Sequence, residues 1–410
     1  MNGLGDSAVV LGSPPRLRTD VGRPIASQPY AATYGAVRAL PGLLERLAPP
    51  DPRRRPRVLL LHSGHLAERP GGAAVAASAA VDHHTVLHRG VPTPDSVAEL
   101  ANRLAEDEVD LVVAVGGGSL LDAGKAAAVL AAEPGDADAS RVVAACAETH
   151  DHAVKVRVVA VPSTPGTGAE VTPFSTIWDQ GEGRKLSLAG RAVRPAAAIL
   201  DPSLVVGLPL PVLAGGALDS VAQGTEAAWS RLGNERSTLL GLRAVREAAG
   251  CLDQLSTRRD DRDVLLRLQR AGHLSGQAIA ETPTTSVHAV SYVLTLRHGL
   301  AHGHACGTVL GRVADFNAGV TDDDCTDVRG AARVRHVLHQ VAAALGCAAG
   351  GIAGRLDRFL DEVELERLDA LAIDPAVVAA EAETYPRCHD NPRRFDGRLA
   401  DVLDGLAGRP

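Results

Sequence analysis

Lysine is almost missing from this chain: Lys125, Lys155 and Lys185 are the only three among 42 basic residues, which leaves 39 arginines. A lysine kept against such a bias is a candidate for a place that needs a compact ammonium rather than a planar guanidinium. Long apolar runs are missing too. No stretch approaches the roughly 20 residues of a membrane span, and the polar N-terminus lacks the basic start and apolar core of a secretion signal. A cytoplasmic protein with no membrane partner is therefore expected. The six cysteines (Cys146, Cys251, Cys306, Cys325, Cys347, Cys388) form no Cys-x-x-Cys pair, so they read as reduced thiols rather than a disulfide framework or zinc knuckle. Excess positive charge is the last absence. The net charge is −7 and the densest basic run, residues 51–57, is short and proline-broken, which argues against nucleic acid as a partner.

What is present is a chain of 410 residues, long enough for two domains with separate cores. Residues 1–27, rich in Gly, Pro and Arg, read as a loose extension, followed by an edge element near 31–47. Short apolar strands are predicted at 57–61, 85–87, 109–115, 154–161 and 196–200, with alanine-rich helical patterns such as 94–106 and 122–132 between them. Continuous apolar strands alternating with helices indicate a parallel α/β sheet, Rossmann-like in layout. The proline cluster at 201–211 interrupts regular structure, so the expected domains are 28–204 (α/β, dinucleotide-binding) and 205–410 (all-α). Helical windows in the second domain fall at 217–231, 237–255, 264–280, 331–344, 365–371 and 375–383.

Two loops carry phosphate-binding chemistry. The strand at 109–115 runs into Gly116, Gly117, Gly118 and Ser119, with Asp122 in the helix that follows, so bare backbone N–H groups and a helix N-terminus meet at a strand's carboxyl end. The loop is not a Walker loop, because Ala123 and Ala126 stand where glycine and a hydroxyl residue are required, and the third glycine of G-x-G-x-x-G is missing. An ordinary tight turn is the alternative. A second hydroxyl-rich turn, residues 162–172, brings Ser163, Thr164 and Thr167 to the end of the next strand, and two such loops suit a dinucleotide. A purely structural proline-glycine loop is the other reading there.

Residues 284–307, TTSVHAVSYVLTLRHGLAHGHACG, hold four of the fifteen histidines. His288 and His302 stand fourteen residues apart. On one unbroken helix that spacing separates them by roughly 21 Å, at 1.5 Å per residue. Metal–imidazole bonds are about 2 Å long, so the two share an ion only if the chain reverses between them, and Gly299 is the natural breaker. A core histidine satisfied by its neighbours is the plainer reading of His288. Earlier in the chain, Asp219 and Gln223 leave one face of a predicted helix at i, i+4. Asp219 with the two imidazoles makes a set suited to Fe(II) or Zn(II).

With these motifs assembled, the chain resembles the iron-containing (group III) alcohol dehydrogenase family, whose fold is that of dehydroquinate synthase. The resemblance spans about residues 31–400 and rests on GGGSLLDAGK at 116–125, VPSTPGTGAEVT at 161–172, the Asp219 helix, His288 with His302-Gly303, and ADFN at 314–317. It implies a Rossmann-like N-terminal domain with an all-α C-terminal domain, NADH or NADPH as cofactor, Lys185 near the cofactor-side motifs, and a divalent metal, Fe2+ or Zn2+. The implied metal residues are Asp219, His288, His302 and Gln223, the last standing where the family usually has histidine. His304 or His298 would supply the proton to the product alkoxide. The phrases LDSVAQGTEAAWS, TTSVHAVSYVLT and HGLAHGHA resemble the branch that reduces phosphonoacetaldehyde to 2-hydroxyethylphosphonate, with Arg297, Arg393 and Arg394 as candidate partners for the phosphonate. A homodimer is expected. The alternatives are another dehydrogenase of the family acting on an alcohol, a diol or maleylacetate, a dehydroquinate synthase-type lyase, or a nucleotide-binding protein that holds no metal.

Overall fold

The structure, a computed structural model, describes residues 28, 30–48, 56–78, 83–87, 90–133, 135–151 and 154–405. The expected extension at 1–27 lies outside the described residues. Two compact units emerge. One takes the residues through Ser163 together with Ala169–Val206, and the other takes Thr164–Gly168 and the chain from Gly207 onward.

The first unit is built on a parallel sheet. Its strands are β1 (Tyr30–Ala32), β2 (Val58–Ser63), β3 (His83–Leu87), β4 (Leu111–Gly116), β5 (Arg157–Pro162) and β8 (Ala197–Leu200), in the spatial order β1-β8-β5-β4-β2-β3. The period-two alternation of a strand divides their side chains between two cores. Leu59, Leu61, Val112 and Ala114 enter one, Leu60, Leu111, Val113 and Val115 the other. Because both faces are covered, these strands read as unbroken apolar runs, which is why the sequence exposed them. Helices α1 (Leu40–Leu47), α2 (Gly72–Ser78), α3 (Pro94–Glu106), α4 (Gly118–Leu130) and α5 (Ala139–Ala145) complete the unit. Thr93 and Ser96 close a reciprocal capping box that starts α3 at its predicted position.

An antiparallel hairpin, β6 (Phe174–Asp179) with β7 (Arg184–Ala189), was not foreseen. Its half-buried, polar-alternating strands lack the continuous apolar signature of the main sheet. The hairpin accounts for Lys125. Its ammonium is buried and donates to Asp122 Oδ1 (2.9 Å), the carbonyl of Ala169 (3.0 Å), Thr172 Oγ1 (3.1 Å) and the carbonyl of Phe174. A compact point charge fits that convergence of acceptors, and a guanidinium fork does not.

The second unit is helical: α6 (Leu210–Trp229), α7 (Glu235–Arg258), α8 (Arg262–Glu281), α9 (Ser286–His298), α10 (His302–Ala318), α11 (Ala331–Leu345), α12 (Ile352–Glu362), α13 (Pro375–Ala382) and α14 (Leu399–Asp404). Helix α6 is buried on every side from Leu213 to Trp229, with α7, α8, α9, α10 and α11 packed against it. The window at 365–371 yields only a 3-10 turn, Leu368–Ala370, while α12 just before it was not anticipated. Together the two units are the Rossmann-like α/β plus all-α architecture expected. No helix among the described residues is long and apolar enough to cross a membrane.

Candidate metal centre and cofactor loops

Helix α9 ends at His298 on Gly299, which takes the left-handed conformation (φ 72°) that a side chain disfavours, and α10 begins three residues later at His302. The chain therefore reverses where the spacing argument required. The rings of His288 and His302 come to 5.3 Å between centroids. Helix α10 can reach α6 because glycines meet at the crossing: a Cβ on Gly303 would lie 2.1 Å from the Gly215 carbonyl oxygen.

Asp219, Gln223 and Glu226 follow at i, i+4 and i+7 along one face of α6. The Nε2 atoms of His288 and His302 lie 3.5 and 3.8 Å from Asp219 Oδ1. Glu226, fully buried, has one carboxylate oxygen accepting from the backbone N–H groups of Thr285 (2.9 Å) and Val287 (2.9 Å) and from the Thr285 hydroxyl (2.7 Å). Its other oxygen accepts from His288 Nδ1. That bond orients the ring and turns Nε2 toward Asp219. Glu226 was missed in the sequence, although its i+7 spacing from Asp219 was there to be read.

A fourth group joins the cluster. Cys306, one turn after His302 and fully buried, puts Sγ 3.9 Å from His288 Nε2 and 3.8 Å from His302 Nε2. Asp219, His288, His302 and Cys306 each present a donor atom, all within 4.8 Å of one another. Burial opposes charge on every member, yet the members outweigh it for one another. Desolvation depresses His302, but the anions of Cys306 and Asp219 lift its pKa to about 9. Burial raises the Cys306 thiol, and His288 and His302 bring it down to about 7. The Asp219 carboxyl lies below its usual range, since His302 and His288 overcome its burial, and His288 is raised well above its ordinary value against burial by Cys306 and Glu226. Buried anions and imidazoles that bring their donor atoms together in this way suit a divalent cation.

Gln223 stands beside this cluster with its amide already directed. Nε2 donates to Asp219 Oδ1 (3.1 Å) and the Thr167 carbonyl (3.3 Å), and Oε1 accepts from Ser275 Oγ (2.8 Å). His304 and His298 are placed elsewhere. His304 leaves α10 two residues after His302, hence from another side of the helix, and its Nε2 donates to the Glu366 carbonyl (2.6 Å). His298 is exposed at the last turn of α9. Asn317 of the ADFN phrase exchanges two bonds with Asn391, which also accepts from Ser286 at the start of α9.

In the first unit, Gly116 closes β4 and Gly117 caps α4 with extended backbone. The first-turn N–H groups of Gly118 and Ser119 have no intrahelical acceptor and lie at the surface, as an anion site requires. Ser163 donates its N–H to the Gly116 carbonyl (2.9 Å), which sets the two strand ends side by side. Asp122 is placed differently from the other loop residues, because its carboxylate accepts from Lys125 and from the Thr176 N–H (2.9 Å) and so ties α4 to β6. Thr164 and Thr167 are partly exposed in the segment that belongs to the second unit, and Lys185 is half-buried on β7.

The iron-containing alcohol dehydrogenase family description matches residues 33–202. Over 355 residues, 85% of this chain and 90% of the other, the sequence is 50% identical to a phosphonoacetaldehyde reductase of Streptomyces viridochromogenes. The chain belongs to the iron-containing alcohol dehydrogenase family. A 4-hydroxybutyrate dehydrogenase of Cupriavidus necator is 30% identical over 275 residues, 63% of this chain and 71% of the other. Among solved structures, a sulfoacetaldehyde reductase from Bifidobacterium kashiwanohense in complex with NAD+ superposes with a TM-score of 0.76 at 21% identity, covering 94% of this chain and 98% of that one. As a member of the iron-containing alcohol dehydrogenases, the protein is an oxidoreductase of alcohol–aldehyde pairs that works with NAD(P)H and a divalent metal.

Proposed function

We propose that this chain reduces phosphonoacetaldehyde to 2-hydroxyethylphosphonate: one hydride from NADH or NADPH and one proton are added across the aldehyde. The observation that carries the reading is the 50% identity to a phosphonoacetaldehyde reductase, extending over 90% of that enzyme. A bound metal supplies Lewis acidity toward the aldehyde oxygen, and a nicotinamide supplies the hydride.

The chain's own residues divide the remaining work. Asp219, His288 and His302 would hold the metal, with Glu226 locking the His288 ring. Tyr292 stacks on His302, with ring centroids 6.0 Å apart, and walls that side of the centre. For the phosphonate, the arginines named from the sequence are engaged elsewhere: Arg297 pairs with Glu381, Arg393 with Asp324 and Arg394 with Asp396. Arg387 is better placed. Its Nη1 donates to Tyr292 Oη (2.7 Å) and Thr284 Oγ1 (2.7 Å), so a fixed cation stands beside the ring that covers His302. On the nucleotide side, the N–H groups of Gly118 and Ser119 would receive the pyrophosphate, with Ser163 and Lys185 of the same unit as further contacts. The enzyme works in the cytoplasm as a homodimer, which light scattering of the purified protein checks.

The deciding experiment follows NAD(P)H absorbance with phosphonoacetaldehyde against simple aldehydes, with and without added Fe(II) or Zn(II). Preference for the phosphonate supports the reading, and equal or better rates on simple aldehydes overturn it.

A further inference from the structure

We propose that Cys306 Sγ, and not the amide of Gln223, is the fourth protein donor to the metal, making the centre an Asp–His–His–Cys site. The inference rests on the reading of this cluster as a metal centre and says which atoms complete it.

Two independent observations carry it. The first is the orientation of Gln223. The Thr167 carbonyl and Asp219 Oδ1 only accept, so the end of the amide facing them must be its NH2, and the oxygen must point to Ser275 Oγ. Gln223 thus turns N–H groups, which ligate nothing, toward the cluster. It orients Asp219 instead of joining it. The second is the placement of Cys306. His302 and Cys306 are i, i+4 on α10 and share a face. Four donors held at about 2.0–2.3 Å from one tetrahedral ion are about 3.3–3.8 Å apart. Four of the six separations, 3.5, 3.8, 3.8 and 3.9 Å, fall in that range or just above it, and all six lie within 4.8 Å.

Cys251 shows what a buried thiol does when it is only packing. Its Sγ faces the backbone carbonyls of Glu247 and Val264, with no second donor set around it. Cys306 faces two imidazoles. Metal binding there releases the thiol proton to solvent and leaves the thiolate on the ion. A sulfur donor also makes the set softer than one of carboxylate and imidazoles alone, which favours Zn(II) over Fe(II).

X-ray absorption of the zinc-loaded full chain tests this without any substitution. A sulfur scatterer at about 2.3 Å is expected, and a shell of nitrogen and oxygen alone at about 2.0–2.1 Å overturns the proposal. Cobalt-loaded protein should show a near-ultraviolet thiolate-to-cobalt charge-transfer band that Cys306→Ser abolishes and Gln223→Ala retains. A band surviving in Cys306→Ser would equally overturn it. Zinc affinity of Cys306→Ser, read by chelator competition, should fall at least about tenfold, the smallest drop seen when even an outer partner of a ligand is lost. If no stoichiometric metal binds at all, it is the metal centre itself that fails; metal bound through nitrogen and oxygen alone sinks only the role of Cys306.

Discussion

Glu226 holds both ends of one recognition problem: through one oxygen it accepts the N–H groups at the start of α9, and through the other it holds the ring of His288 on that same helix. Glu226→Gln keeps the shape but removes the charge that orients the imidazole. Metal affinity should drop by about 10–100-fold. Glu226→Ala should in addition lower stability, since the buried N–H groups of Thr285 and Val287 lose their acceptor at about 1–3 kcal/mol each. Chelator competition reads the first effect and denaturant unfolding the second. Unchanged affinity in Glu226→Gln would mean that His288 is oriented by its helix alone.

Gly303→Ala places a methyl group against backbone, 2.1 Å from the Gly215 carbonyl oxygen, and no side-chain rotation relieves it. Helices α6 and α10 must move apart, which carries Cys306 and His302 away from Asp219. Overpacking of this kind typically costs about 1–3 kcal/mol. Both the melting temperature and the metal content should fall, and a variant that retains full metal content would show that the crossing has slack.

Stripping the metal should destabilise the second unit, because an ion that binds only the folded site stabilises it by mass action. At free metal 100-fold above Kd, binding to the native state adds about 2.7 kcal/mol of stability. Calorimetry with chelator, then with zinc restored, should show the melting temperature fall and recover. An indifferent melting temperature would count against the whole centre.

Arg387→Gln separates substrate from chemistry. Loss of a charge-assisted hydrogen bond of about 1.5–3 kcal/mol should raise KM for phosphonoacetaldehyde by about 10–150-fold and leave simple aldehydes nearly untouched. Parallel loss on both substrates would show that Arg387 supports the fold through Tyr292 and Thr284 instead.

Lys125→Met should behave as a stability mutant. It leaves the Asp122 carboxylate, largely buried, with the Thr176 N–H but without its cation, and breaking one side of a buried pair costs about 3–5 kcal/mol. A large drop in melting temperature is expected. Normal stability with lost nucleotide binding would reassign the lysine to the phosphate.

Much of this was legible in the chain itself. Strands buried on both faces must be apolar throughout, so 111–116 and 157–162 stood out, and the polar-alternating hairpin 174–179 with 184–189 did not. Likewise the fourteen-residue spacing of His288 and His302, combined with the reach of a metal bond, required a reversal, and Gly299 was the residue able to make it. Period and spacing are local properties, and sequence carries them. Which helix faces which is not local. Glu226 and Cys306 sit at helical spacings from Asp219 and His302, but spacing says only that residues share a face, not what the face looks onto. The packing of α6, α9 and α10 decided that, through the close approach of Gly303 to Gly215. A different packing, of α8 and the Thr164–Gly168 segment against α6, turned the Gln223 amide away by placing the Thr167 carbonyl on one side of it and the Ser275 hydroxyl on the other.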